Sequence, residues 1–319
     1  MASIKDIAKI CGVSVATVSK ALNDKKDIGE ETKKHIKEVA KEQGYFPQYY
    51  ARAIRMNKSF NIGVLFIDEA MSGLTHDYFA NILNSFKVTA ESKGYDITFI
   101  NSNKKHKKSK TYLEHCRYRG LDGVMIACID YEFPDCLSVI SDNAVGMREL
   151  VEYVISMGHK KIAYITGDDT SIVTDIRIQG LKETMDKHGL ALPEGWIFPS
   201  EYRNLKKAAE YTKTLLQQPI RPTCIIYSDD YSAVGGIAAI ESMGLRIPQD
   251  ISVAGYDDIF IASQLQPRLT TVRQDTEKIG MKAAEQLIKL IEGHKVKLSA
   301  PSVVASQLIR GASVAKLEE

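Results

Sequence analysis

The sequence offers little for covalent or metal chemistry. Its 319 residues include only five cysteines, Cys11, Cys116, Cys128, Cys136 and Cys224. They are odd in number, scattered, and without a CxxC pair, so neither a disulfide framework nor a zinc site is expected, and most of the thiols read as buried groups of a reducing compartment. The seven histidines show no metal-ligand spacing. No GxGxxG follows a strand, and GxSxG and the Walker loop are absent. GDD at 167–169 and SDD at 228–230 are acid pairs at strand ends, which serve equally well as hydroxyl acceptors. No catalytic residue, cofactor or metal is therefore expected. No window approaches about 18 uninterrupted apolar residues, and the opening MASIKDIAKICG carries charge where a signal peptide needs an apolar run. A cytoplasmic protein with no membrane partner is expected. With 44% apolar and 26% charged residues, disorder and collagen-like sequence are excluded.

A dominant charge sign is missing too, since 42 basic residues face 40 acidic ones. The balance conceals an asymmetry. Residues 1–58 hold twelve Lys and Arg against seven Asp and Glu, a charge of +5, which leaves −3 on the other 261 residues. A small basic head on a mildly acidic body points to a polyanion as the partner of the head. The first 46 residues read as three short helices. Ile4, Ile7, Ala8 and Ile10 recur at helical spacing up to a stop at Gly12. Ser14 is a suitable N-cap for a second helix, with Val15, Val18 and Leu22 along one side. A third, from about Glu30 to Gln43, offers Ile36, Val39 and Ala40 to the same core. Three helices with a tight Gly-Val-Ser turn between the first two form a helix-turn-helix.

From Asn61 the texture alternates between strands and helices. Strands are expected at Ile62–Phe66, Asp96–Ile100, Gly123–Ala127, Lys161–Ile165, Thr223–Tyr227 and Ile251–Tyr256. Helices are expected at about 77–93, 110–119, 143–157, 176–189, 203–217, 231–243 and 275–292. This order implies right-handed crossovers and parallel sheets covered on both faces, with length enough for two Rossmann-like subdomains and a ligand cleft at the carboxyl ends of the strands. The basic run KKHKKSK at 104–110 lacks interleaved aromatics and reads as a solvated loop.

The head SIKDIAKICGVSVATVSKALN and the following YFPQYYARAIR resemble the DNA-binding and hinge region of the LacI/GalR family of bacterial transcriptional regulators. In the body, SDNAVGMRELVEYVISMGHKKIAYITG, DIRIQGLKETM, PTCIIYSDDYSAVGGIAAIESMGLRIPQDISVAGYDD and QPRLTTVRQD are similar to family signatures in the right order. The resemblance implies a helix-turn-helix domain at 1–46, a hinge helix and linker at 47–59, and a periplasmic-binding-protein-like body at 60–319. The body would divide into subdomains of about 60–158 with 272–304, and 159–271. It further implies a repressor that binds a pseudo-palindromic double-stranded operator as a homodimer. Val15, Ala16 and Lys20 would read base edges, with Ser14, Thr17 and Ser19 on phosphates. Asn23, Thr32 and Tyr45 match family positions that touch the backbone. In the hinge, Ala51 permits close approach of two helices, Ile54 is the minor-groove wedge, and Arg52 and Arg55 hold phosphates.

Arg177 and Asp257 match positions that hydrogen-bond ligand hydroxyls in sugar-responsive members. Asp229, Asp142, Gln274, Tyr202, His76 and Tyr78 complete the expected effector site, with Tyr231 as the alternative to Tyr202 and an N-cap as the alternative role for Asp142. A carbohydrate is the expected effector. One departure stands out: only DYEFPDCLSVI lies between the third strand and SDN. The family normally places a further helix and strand there, so roughly two dozen residues, one βα unit of the N-terminal subdomain, are expected to be missing. Control by a protein corepressor, or loss of effector response in the shortened body, is the alternative. A periplasmic solute-binding protein shares the body fold, but not the helix-turn-helix.

Overall fold

The computed structural model of the chain describes residues 2–45, 58–66, 73–100, 111–127, 136–296 and 300–317. These form two compact units, one up to Phe60 with 120–122, the other comprising the remainder. The hinge positions Ala51, Arg52, Ile54 and Arg55 lie outside the described residues, as does the basic run 104–110.

The head holds α1 (Ile4–Ile10), α2 (Val15–Leu22) and α3 (Glu30–Glu42). The first helix begins with a reciprocal capping box between Ser3 and Asp6 and ends before Gly12, whose φ of +65° suits a residue without a Cβ. Ser14 accepts the Thr17 N–H at 3.1 Å to start α2. Ile7, Ala8, Val18, Ala21, Ile36 and Val39 close a small core among the three helices. The expected stripe of Val15, Val18 and Leu22 needs correction. Val15 is 41% exposed, and Ala21 joins Val18 in the core while Leu22 packs at its margin. A helical side chain leans toward the N-terminus, so the first residue of a helix projects beyond the layer that its neighbours pack.

In the second unit, β1 (Asn61–Phe66), β2 (Asp96–Ile100) and β3 (Gly123–Ala127) form a parallel sheet in the order β2-β1-β3. A second parallel sheet has the order β6-β5-β7-β8, from β5 (Ile162–Ile165), β6 (Ile197–Phe198), β7 (Cys224–Tyr227) and β8 (Ser252–Ala254). Every residue of β5, β7 and β8 is buried, as expected of parallel strands with both faces covered. Between the strands run α4 (Asp77–Ser92), α5 (Tyr112–Tyr118), α6 (Asn143–Ser156), α7 (Ile172–Lys187), α8 (Leu205–Leu216), α9 (Asp230–Ser242), α10 (Phe260–Gln264) and α11 (Thr276–Ile291). The chain therefore carries an all-α helix-turn-helix head and an α/β body of the periplasmic-binding-protein type.

Helix α11 lies against α4 at Gly280, where a Cβ would stand 2.3 Å from the Ile82 carbonyl oxygen. Two shorter pairings complete the body. Strand β4 (Val139–Ser141) runs parallel to β10 (Ser302–Val304), and β9 (Thr271–Gln274) runs antiparallel to β11 (Ser306–Ile309). The expected loss of a βα unit falls mainly on residues 128–135, outside the described residues. On either side of them, β3 pairs with β1, and the segment CLSVI supplies β4 as the partner of β10.

Candidate functional site

In the head, α2 leaves Val15, Ala16 and Lys20 exposed, with Thr17 and Ser19 half-buried. Several of these side chains also serve the helix itself. The Ser14 hydroxyl caps α2 and lies 2.9 Å from the Thr17 hydroxyl. Asn23, at the other end, donates to the Ser19 carbonyl at 2.6 Å. Lys20 is drawn to Asp27 at 2.5 Å, and its ammonium holds the Asp27 carboxyl below the usual range. Thr32 is exposed in the first turn of α3. Tyr45 packs at the margin of the head core, where burial raises its phenol pKa.

In the body, the carboxyl ends of β7 and β8 and the N-terminal turns of α6 and α7 converge on Arg177. Its side chain is 3% exposed. Nε and NH2 both donate to Asn143 Oδ1, at 3.0 and 2.8 Å, and NH1 donates to the Ser228 carbonyl at 2.8 Å. The guanidinium carbon lies 3.5 Å from the centre of the Tyr256 ring. Burial opposes the charge, but Tyr256, Tyr202 and Asp257 around it more than offset that cost, and the pKa moves up. Asp257 stands 3.8 Å from NH2 and accepts a hydrogen bond from Gln274 Nε2 at 2.5 Å. Burial pushes its carboxyl up to about 6, with Arg177 pulling the other way. Its φ of +102° is costly for a residue with a Cβ, which marks the turn after β8 as strained.

Asp257 and Gln274 open onto a cleft of about 210 Å³, lined also by Tyr78, Asn81, Asp258 and Arg273. His76, Tyr78 and Asp229 border an adjoining recess with Asp77, Arg203 and Tyr231. The Arg203 guanidinium lies over the Tyr231 ring at 4.4 Å and donates to the Thr75 carbonyl at 3.3 Å.

Three expected cleft residues are otherwise engaged. Asp229 spends its carboxylate on the Ser232 N–H and hydroxyl, the Ser228 hydroxyl and the Arg203 N–H, at 2.8–2.9 Å. It is the N-cap of a buried helix start, whose orphan donors must be satisfied there. Asp142 likewise caps α6 by accepting the Val145 N–H at 3.0 Å. Tyr202 hydrogen-bonds the Thr174 hydroxyl at 2.9 Å, and its ring covers Gly167 at a distance that no Cβ would allow. Arg177, Asp142 and Tyr202 border neither the cleft nor the recess, and Arg177 adjoins the cleft only through Asp257.

Sequence reasoning passed over Asn143, Tyr256, Arg203 and Asp230. Asp230 is fully buried, accepting from the Thr271 hydroxyl at 2.6 Å and the Ile259 N–H at 2.8 Å. Its carboxyl is raised well above the usual range by burial and then by Asp257. The one available signal was the second acid of SDD, which falls on the buried side of a helix start. Among the described residues, no group of three or more His, Cys, Asp or Glu could hold a metal ion, and no helix is long and apolar enough to cross a membrane.

A helix-turn-helix head followed by a periplasmic-binding-protein-like body defines a class of bacterial DNA-binding regulator, and comparison with known proteins narrows it. Residues 3–48 match the family described as bacterial regulatory proteins, lacI family. Residues 61–142 match the periplasmic binding proteins and sugar binding domain of LacI family, and 151–314 a periplasmic binding protein-like domain. The HTH-type transcriptional repressor PurR of Edwardsiella ictaluri is 31% identical over 317 residues, 91% of each chain. The probable HTH-type transcriptional repressor ExuR of Bacillus subtilis is 31% identical over 315 residues, 93% of this chain and 94% of that one. A regulatory protein of LacI family from Chloroflexus aggregans is 27% identical, with a TM-score of 0.72 over 80% of this chain and 98% of that one. The lac repressor dimer bound to operator and the anti-inducer ONPF shares the fold, at 23% identity and a TM-score of 0.84, over 98% of this chain and 99% of the repressor. The chain belongs to the LacI family of DNA-binding transcription regulators.

Proposed function

We propose that the protein is a cytoplasmic repressor that binds a pseudo-palindromic operator as a homodimer, and that a small polyhydroxylated molecule, a sugar or sugar derivative, occupies the cleft and alters operator affinity. In this reading residues 1–46 bind DNA, 47–59 are the hinge, and the body closes about the ligand between two subdomains, 60–158 with 272–304, and 159–271. The observation that carries the effector reading is the Arg177–Asp257 pair at 3.8 Å. It sets a cation beside a carboxylate where the strands end, and a ligand hydroxyl accepts from one and donates to the other. The exposed N-terminal face of α2, with Val15, Ala16 and Lys20, supports major-groove reading. The repressor names of the PurR and ExuR relatives support the sense of regulation.

The experiment has two arms. Selection of operator sequences by the full-length protein from a random duplex library should return a two-fold symmetric site, with one dimer bound per duplex. Calorimetric titration with a panel of sugars and nucleobases should then find a ligand that changes operator affinity and whose binding Arg177→Gln abolishes. Asymmetric sites would remove the dimeric operator reading. Heat from no member of the panel would remove the sugar.

A further inference from the structure

Asp257 reaches the cleft from a turn that the chain would not adopt unaided. The turn follows β8, and both Asp257 and Asp258 carry positive φ, +102° and +51°. For residues with a Cβ that region is costly and persists only where the surroundings over-determine it. The turn supplies three residues of the cleft wall, Asp257, Asp258 and Ile259, and each of its N–H groups is tied down. Asp257 N–H donates to the Val272 carbonyl at 2.9 Å, Ile259 N–H to Asp230 Oδ2 at 2.8 Å, and Asp258 N–H to the Thr271 hydroxyl at 3.3 Å. That hydroxyl in turn donates to Asp230 Oδ1 at 2.6 Å. Two of the three ties therefore end on one carboxyl. An acid in the first turn of a helix ordinarily serves the N–H groups of its own helix. Asp229 does so here, accepting the Ser232 N–H, whereas Asp230 reaches across to β9 and the turn. Asp230 and Thr271 are both fully buried, and their approach needs Gly255, where a Cβ would collide with Asp230 Oδ1. Burial pushes the Asp230 carboxyl well above its ordinary pKa, so an apolar residue would serve packing alone at less cost.

We propose that Asp230 is a positioning residue of the effector cleft, which with Thr271 clamps the turn 257–259 and so holds the Asp257 carboxylate in the aim that a ligand meets. Released from the clamp, the backbone relaxes toward negative φ and turns Asp257 away from Gln274 Nε2 and Arg177 NH2, from which it now stands 2.5 and 3.8 Å. Asp230 acts through Asp257 alone, since it borders neither the cleft nor the recess. The purpose of the clamp rests on the effector reading above, whereas the geometry that it enforces does not.

The test follows Asp257 in the full-length protein. Its carboxyl is faced by Arg177, Arg203, Asp229, Asp230 and Gln274, and its pKa is pushed up to about 6. The stability of the wild type minus that of Asp257→Asn should therefore fall as pH rises from about 4.5 to 7. Urea denaturation measures this fall in each background at position 230. It should disappear in Asp230→Ala, because a carboxyl swung into water titrates near its ordinary value of about 3.9. It should persist in Asp230→Asn, whose amide oxygen still accepts the Ile259 N–H and whose nitrogen donates to the Thr271 hydroxyl. Calorimetry with ribose, glucose and galactose gives a second readout. Affinity for whichever of them binds the wild type should drop about tenfold or more in Asp230→Ala and stay within about threefold in Asp230→Asn. A merely structural role would destabilise the alanine variant at every pH and leave the fall intact, which would overturn the proposal. So would a flat difference in the wild type, or a fall lost equally from the alanine and asparagine variants, which would assign the effect to the charge of Asp230. If Asp230→Ala does not fold, Thr271→Val carries the test, since it keeps the side-chain shape and frees the Asp258 N–H. The fall should then shrink, and an unchanged fall overturns the proposal. The two readings fail separately. No heat from any sugar, with the fall lost in Asp230→Ala and kept in Asp230→Asn, removes the effector reading and leaves the clamp standing. Sugar binding that depends on Arg177, with the fall unchanged in Asp230→Ala, removes the clamp alone.

Discussion

Tyr231 donates its hydroxyl to the Asp77 carboxylate at 2.8 Å, joining the first turns of α9 and α4 across 154 residues of chain. Arg203 reinforces the junction, stacked over the Tyr231 ring and 4.0 Å from the same carboxylate oxygen. The acceptor bond to Asp77 is the main reason the Tyr231 phenol pKa is raised. Both side chains keep partial access to water, so the bond should contribute about 1 kcal/mol or less. Urea denaturation should therefore show Tyr231→Phe and Asp77→Asn to be mildly destabilising, with the double variant no worse than the poorer single one. Additive losses would mean that the hydroxyl and the carboxylate act separately.

Asp257 couples the body to pH. Its carboxyl is raised to about 6 by burial, above the ordinary value of about 3.9. The folded protein then binds more protons than the unfolded chain between those values, so stability falls as pH rises through that window. Asp257→Asn removes the dependence. The stability of the wild type minus that of the variant should fall by roughly 1–2 kcal/mol between pH 4.5 and 7, followed by urea denaturation of the full chain across that range. A flat difference would place the Asp257 carboxyl at an ordinary pKa.

Sequence pattern located several strands closely, both where burial is mixed, as in β2 and β3, and where it is complete, as in β5 and β7. Strands β2 and β3 coincide with their expected bounds, and the apolar runs of β5 and β7 are off by one residue at their starts. Helix α7 begins at Ile172 rather than near 176, because its first turn has no side-chain cap hydrogen bond to announce it. The two-residue β6 and the three-residue β4 and β10 are too short for a period to register, and pairing partners distant in sequence define them. At the cleft, the charged pair Arg177 and Asp257 was legible through its match to family positions. The division of labour among Asp229, Asp230 and Asn143 was not. Each is a polar residue beside a helix start, and only the packing of α6 and α9 decides which caps, which is buried and which holds the guanidinium.

Gly280 marks the crossing of α11 over α4. Alanine is the better helix former by about 1 kcal/mol, and on propensity alone Gly280→Ala would stabilise. A Cβ there, however, would lie 2.3 Å from the Ile82 carbonyl oxygen and 2.9 Å from the Phe86 nitrogen. These are backbone atoms of a helix and cannot step aside, so overpacking should dominate and leave a net loss of roughly 1–3 kcal/mol. Thermal denaturation would detect this. An unchanged or higher melting temperature would show that the two helices can separate at no cost.

Lys20 and Asp27 make a last prediction at the DNA surface. The ammonium is 2.5 Å from the carboxylate, with both side chains about half exposed, so Lys20 must leave Asp27 before it can reach a guanine. Asp27→Asn removes both the competitor and a negative charge from the face proposed to meet DNA. Operator affinity should rise severalfold, most strongly at low salt, since the competing charge is screened as salt increases. Lys20→Ala should act differently. If the side chain reads a base, the variant loses about 1–3 kcal/mol of discrimination at one position in each half-site and keeps its preference elsewhere. Fluorescence anisotropy with single-position operator variants at one fixed salt concentration separates the cases. Loss of discrimination at one position identifies a base contact, whereas an equal loss on every sequence, together with a shallower salt dependence, assigns Lys20 to the phosphates. In either case the Asp27 effect should disappear once Lys20 is alanine, apart from the part due to its own charge, because the ion pair is what holds the lysine back.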